Sequence, residues 1–217
     1  MQLNRTKVAV GGAFLLATAA VTGTLATGSA VAGDAGSSAT ETKGHLTALN
    51  NSGVRGNAEV TVHHRRVHVD VDARHALKGM PHAQHIHYGQ QARNECPSAF
   101  DDENRDFRLT TAEGVPAYGP VRISLTTEGG TGPKSALAVT RFPTAPNGAV
   151  HYNRHTRTSK GVARAIRQGE AVYVLHGVDY NANGKYDFKG AGKSELDPNL
   201  PAEATDPAAC TVLRVQN

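Results

Sequence analysis

Apolar and polar positions alternate over two consecutive stretches of the chain. Ala58, Val60 and Val62 alternate with Glu59, Thr61 and His63, and Val67, Val69, Val71 and Ala73 alternate with His68, Asp70 and Asp72. A period of two carried by β-branched residues predicts two half-buried strands. A tight turn near His64 and Arg65 joins them. Further strands are predicted over residues 45–49, 83–88, 120–125, 136–140, 149–156, 171–176 and 211–215, with Gly, Pro and Asn clusters between them. Ser159 predicts a short helix running through Val162 and Ile166 and stopped by Gly169. Many short strands with turn signals between them point to an all-β, antiparallel sandwich or barrel.

The most apolar run is N-terminal. Arg5 and Lys7 precede an Ala-rich stretch from Val8 to about Val21, and small residues lead to Ala30-Val31-Ala32 before Gly33. A charged start, an apolar middle and an A-x-A exit predict an export signal over residues 1–32. Thr and Gly interrupt the run, which argues against a retained membrane anchor. Residues 33–43 are small and polar and read as a disordered leader. Residues 44–217 then form a single domain. The expected location is secreted or extracytoplasmic, with no stable membrane span after cleavage. In an oxidising compartment the two cysteines, Cys96 and Cys210, should pair. The alternative is two free buried thiols.

Composition narrows the function classes. Of 23 Lys and Arg, two fall in the signal, which leaves 21 against 19 acidic residues. That balance is too even to predict nucleic acid as a partner. The oddity is 11 His in 217 residues. The densest chemistry lies from Gly79 to Gly89. On a strand His85 and His87 share one face, whereas His82 has the opposite parity. Two same-face imidazoles suit a borderline metal such as copper or zinc. A third ligand must come from another strand, and His176, at the end of an apolar strand, is well placed. His63, His64, His68 and His75 read more simply as solvated surface imidazoles. His151 and His155 share a face of one strand and either meet solvent or supplement the site.

The run Gly79-x-x-His82-x-x-His85-x-His87-x-Gly89 resembles the copper-binding strand of copper/zinc superoxide dismutases, whose H-G-F-H-V-H has the same His spacing. Val174-Leu175-His176 resembles the family's later ligand-bearing strand, and Ala208-Ala209-Cys210-Thr211-Val212 its terminal cysteine strand. The stretch from Leu49 to Gly89 is also similar to the chordin-type (CHRD) domain, with its H-I-H-x-G turn. This resemblance spans most of residues 45–217. It implies a Greek-key β-sandwich with one long-range disulfide, Cys96–Cys210. It implies copper ligation by His85, His87 and His176, and a structural role for His82 in hydrogen-bonding loop backbone.

The departures carry implications too. The family's bridging His and its other zinc ligands should follow Cys96, yet no His occurs from there until His151. A zinc site and a fourth copper ligand are therefore not expected. Pro207 stands where the family has the Arg that attracts superoxide. Arg154, Lys185 and Lys193 are the alternative sources of positive charge. The expected function is an exported, metal-binding domain that is non-catalytic or weakly catalytic. The alternatives are a copper-only superoxide dismutase, or a structural extracellular module with calcium loops.

Two acidic loops motivate the calcium alternative. Asp102, Asn104, Asp106, Thr110 and Glu113 fit a calcium-loop spacing closed by an acid at the twelfth position. Phe107 replaces the Gly that normally permits the sharp turn, and Arg105 and Arg108 oppose a cation. In the second loop, Asp179, Asn181, Asn183 and Asp187 surround Gly184. Gly190 stands at the closing position, and Glu195 or Asp197 are substitute acids. Turns built on Asx side chains explain such a loop without metal.

Overall fold

Val60, Val62, Val69 and Val71, alternate residues of two predicted strands, are each at most 1% exposed. Full burial of each is worth about 1.5–3 kcal/mol, and it fixes which face of the hairpin turns inward. The computed structural model describes residues 38–216. The expected export signal and the first part of the leader lie outside the described residues. In chain order the first strands are β1 (Thr40–Ala48), β2 (Arg55–His63), β3 (Arg66–Arg74), β4 (Gln84–His87) and β5 (Val121–Ser124). They are followed by β6 (Ala149–Arg157), β7 (Val172–His176), β8 (Pro207–Val212) and β9 (Arg214–Val215).

Every strand pairing is antiparallel. The order is β5-β4-β7-β8-β1-β2-β3-β6, with β9 also on β1. Strand β1 serves two ladders: residues 40–46 pair with β2, while Thr47 and Ala48 pair with β8. The sheet therefore bends at β1 into a half-barrel, and the expected all-β architecture is present. Valines of β2 and β3 pack in one core cluster with Ile86, Tyr173 and Leu175 from the other half. A smaller cluster of Tyr118, Val172, Val174 and Cys210 lies apart from that core. Cys96 and Cys210 are disulfide-bonded, 114 residues apart in sequence.

Among the described residues four helices decorate the strands: α1 (Thr111–Tyr118), α2 (Lys160–Arg167), α3 (Phe188–Ala191) and α4 (Ala202–Thr205). The Ser159 hydroxyl caps α2 by accepting from the Val162 N–H, and Gly169 ends the segment at φ +70°, as the sequence predicts. Among the described residues no helix is long and apolar enough to cross a membrane.

Three local expectations need correction. Strand β1 begins at Thr40, inside the predicted leader, because Thr42 is buried and donates to the Val60 carbonyl. Residues 136–140 are not a strand. They lie among 3₁₀ turns at Pro133–Ser135 and Val139–Arg141, where backbone bonds run between near neighbours such as Ala138 and Ser135. Residues 211–215 split between β8 and β9, with Leu213 bonding back to Ala171.

Candidate metal centre

Strands β4 and β7 lie side by side, with His85 opposite Val174 and His87 opposite Val172. Ile86 points into the core, so its neighbours His85 and His87 project from the other face. His176 ends β7, where the pairing with β8 shifts register, and its N–H donates to the Ala83 carbonyl at 2.8 Å. All three imidazoles thus leave the same face of the second half. Their ring centroids are 5.6 Å apart for His85–His87, 5.0 Å for His85–His176 and 6.3 Å for His87–His176. The structure brings together the three residues expected as copper ligands. One nitrogen from each lies within 4.8 Å of the others.

Backbone carbonyls engage one nitrogen of each ring. His87 Nδ1 donates to the Gly119 carbonyl at 2.7 Å, and His176 Nδ1 to that of Thr205 at 2.6 Å. His85 turns the other way, and its Nε2 donates to the Ala136 carbonyl at 3.1 Å. The remaining nitrogens, His85 Nδ1, His87 Nε2 and His176 Nε2, are buried without any partner. A neutral imidazole that donates through one nitrogen offers a lone pair at the other. Donation to a carbonyl is also the usual outer support of a metal-bound His, fixing tautomer and ring angle.

Burial keeps the rings neutral. The pKa of His87 is pushed down to about 3 by burial, with a further contribution from His176. Burial lowers His176 to about 4. His85 is held well below the ordinary value by burial and by both neighbouring imidazoles. Two aromatic rings help close the site: Phe142 stands edge-on to His85 at 5.4 Å, and Tyr118 lies 4.5 Å from His87. Tyr118 comes from α1, whose Gly114 leaves room for its ring; a Cβ there would meet the ring at 2.4 Å.

His82 belongs to the support of this centre. It is fully buried, and its Nδ1 lies 2.9 Å from the His176 carbonyl. Its Nε2 lies 3.2 Å from the Leu77 carbonyl, and the Tyr186 hydroxyl approaches the same ring. Burial lowers its pKa, and a neutral ring donates to only one carbonyl. The shorter contact is the one to His176.

The acidic loops share one backbone design. In the first, the Asp106 N–H donates to Asp102 and Asn104, the Phe107 N–H to Asp102, and the Arg108 N–H to Asp106. In the second, Asn183 donates to Asp179 and Asn181, Gly184 to Asp179, and Lys185 to Asn183. The fourth and sixth positions have positive φ in both: Arg105 and Phe107, then Ala182 and Gly184. Thr110 and Glu113 bond to the backbone at the start of the following helix. They form a capping box at the start of α1, and the second Glu113 oxygen accepts from the Glu103 N–H. In the second loop Asp187 accepts from Asn181 and Asn183 and caps α3 through the Lys189 N–H. The sequence does not single out buried Glu203, which holds this loop by accepting from the Tyr180 and Asp187 N–H groups.

The alternative positive charges are committed elsewhere or exposed. Arg154 donates to the Thr126 and Gly129 carbonyls, Lys185 pairs with Asp187 at 3.8 Å, and Lys193 is exposed. Sequence reasoning misses the three carbonyls that orient the ligands. Backbone groups carry no residue signature, and only Gly119, as the C-cap of a helix, leaves a trace. No protein-family model matches the chain, and no curated protein matches it. The geometry of the site therefore carries its interpretation.

Proposed function

We propose that this chain is an exported domain that holds copper through His85 Nδ1, His87 Nε2 and His176 Nε2 and turns over little or no substrate. The observation that carries the proposal is the trio of buried, partnerless nitrogens, each on a ring whose other nitrogen donates to a carbonyl. An orphaned buried polar atom costs about 1–3 kcal/mol, and a shared cation offsets three such costs at once. Three neutral imidazoles fit a borderline ion, and copper(II) outranks zinc on such ligands. Copper, when bound, supplies one-electron redox chemistry.

The chain's own residues do the holding. The carbonyls of Ala136, Gly119 and Thr205 set the three ring angles, and Tyr118 and Phe142 keep water away. His85, His87 and His176 are 4, 1 and 3% exposed as residues, so an approaching substrate finds no open face. This burial, together with Pro207 at the place of the dismutase-like Arg, favours metal handling over dismutation. The Cys96–Cys210 disulfide suits an oxidising compartment, in keeping with the export signal expected over residues 1–32.

The test is elemental analysis of the mature chain after copper and zinc are supplied together, followed by a superoxide assay. The expected result is about one copper per chain, its loss in His85→Ala, and dismutation close to the buffer rate. A copper-free wild type, or a His85→Ala chain that keeps its copper, overturns the site. Rapid dismutation by the loaded chain replaces metal handling with the enzyme reading.

A further inference from the structure

The outer face of β3 and β6 carries a second pair of imidazoles, on strands other than those of the buried centre. His68 and His155 lie directly opposite each other across the two strands. Their rings stack with centroids 4.2 Å apart and planes 19° from parallel. His155 is exposed and His68 half-buried. Asn153 fixes the tautomer of His68. Its amide nitrogen donates to the Asp70 carboxylate, so its oxygen accepts, and His68 Nε2 donates to it at 3.1 Å. The lone pair of His68 therefore sits on Nδ1. This repeats, at the surface, the outer support found around the buried ligands: one ring nitrogen held by an oxygen, the other free.

We infer that His68 and His155 form a second, surface site for a borderline divalent cation such as zinc or copper(II), completed by water. Directly opposed residues on antiparallel strands have Cβ atoms about 4.5–5.5 Å apart, close enough for two imidazoles to share an ion. As stacked, the ring planes lie only 19° from parallel, so one ring turns before both lone pairs meet a single ion. His68 is pinned by Asn153, so His155 is the ring that turns, and its exposure leaves it free to do so. His151, on the same strand face, is not a third ligand because it lies four residues from His155 on β6, about 13 Å along the strand. The next row along β3 and β6 toward Asn153 contains the Asp70 carboxylate, while the opposite row holds Arg66 and Arg157. The site is thus weaker than the buried one, and it does not depend on that one being occupied.

Zinc chloride titrated into the full mature chain, followed by calorimetry, tests the inference. Wild type should show two steps, a tight one and a weaker one. His155→Thr should lose the weaker step and keep the tight one, and His68→Asn should do the same. Asn153→Ala should weaken the second step about tenfold by freeing His68. A wild type that shows the tight step alone, or a weaker step that survives both His substitutions, overturns the surface site. Failure of the buried site instead removes the tight step and leaves the weaker one, so the two outcomes are distinguishable.

Discussion

The Nδ1 of His176 lies 2.6 Å from the carbonyl oxygen of Thr205, and the Thr111 hydroxyl donates to the same oxygen at 2.6 Å. One backbone atom thus ties β7, α1 and α4 to a single ring angle. The Thr205 side chain steadies it, with its hydroxyl 2.8 Å from that of Ser194. Thr205→Val keeps the shape and removes that bond. The expected cost is about 0.5–1.5 kcal/mol for the lost hydrogen bond, because the Ser194 hydroxyl still accepts from the Leu196 N–H, with metal affinity reduced about tenfold or more through His176. Denaturant melts and competition against a copper chelator measure the two effects. Unchanged affinity would show that the turn does not position the ligand.

Acid should destabilise the metal-free fold. His87 and His176 titrate near 3 and 4 when folded and near 6.5 when unfolded. Between those values the unfolded chain binds protons that the folded chain refuses. Their contribution is therefore complete above about pH 6.5 and is lost as pH falls toward 4. The slope approaches about 1.4 kcal/mol per pH unit for each ring. Denaturant midpoints at several pH values between 7 and 4.5 read it directly. A flat profile would mean that the rings take up protons at the same pH in the folded and unfolded chain.

The disulfide between Cys96 and Cys210 closes a loop of 114 residues in sequence. In the chain-entropy model such a closure contributes about 4–5 kcal/mol. Cys96→Ser with Cys210→Ser should lower stability by an amount of that order. It should also loosen the contacts of Tyr118 and Val174, which share a cluster with both cysteines. Chemical denaturation of the oxidised wild type and the double variant compares them. Equal midpoints would assign the bridge no thermodynamic role.

Phe107 holds φ +65° and is 94% exposed. The left-handed conformation costs a non-glycine residue about 1–2 kcal/mol, while glycine loses about 0.5–1 kcal/mol more backbone entropy on folding. Phe107→Gly should therefore stabilise the protein by up to about 1 kcal/mol. A thermal melt decides it, and a lower midpoint would mean that the ring supplies contacts that outweigh its strain.

How far the sequence reveals this molecule depends on where each signal resides. Val60, Val62, Val69 and Val71 announce β2 and β3 because one face of each strand is buried and the other wet. The turn at His64 follows from the same alternation, and His64 takes φ +53° there. Helix α1 is not visible in the pattern. Gly114 and Pro116 interrupt it, and its Thr110/Glu113 capping box coincides with two positions of a calcium-loop spacing. Residues 136–140 look like a strand because Ala, Leu and Val dominate, yet long-range pairing does not reach them. At the metal centre His85 and His87 follow from parity. His176 follows from its place at the end of an apolar strand. The oxygens of Ala136, Gly119 and Thr205 are positioned by the fold alone.

Strands β4 and β7 carry their two roles at alternating positions. Ile86, Tyr173 and Leu175 face the main core, while His85, His87 and His176 face the candidate metal centre. Two independent selections therefore run along the same short segments, interleaved one residue at a time. Emptying the metal centre can leave the architecture standing, and descendants of this chain are free to lose or exchange their chemistry without having to reinvent the fold. A saturation scan of residues 84–87 and 172–176 should place Ile86, Tyr173 and Leu175, with Val172 and Val174 of the smaller cluster, in a set scored by expression, and His85, His87 and His176 in a set scored by bound metal.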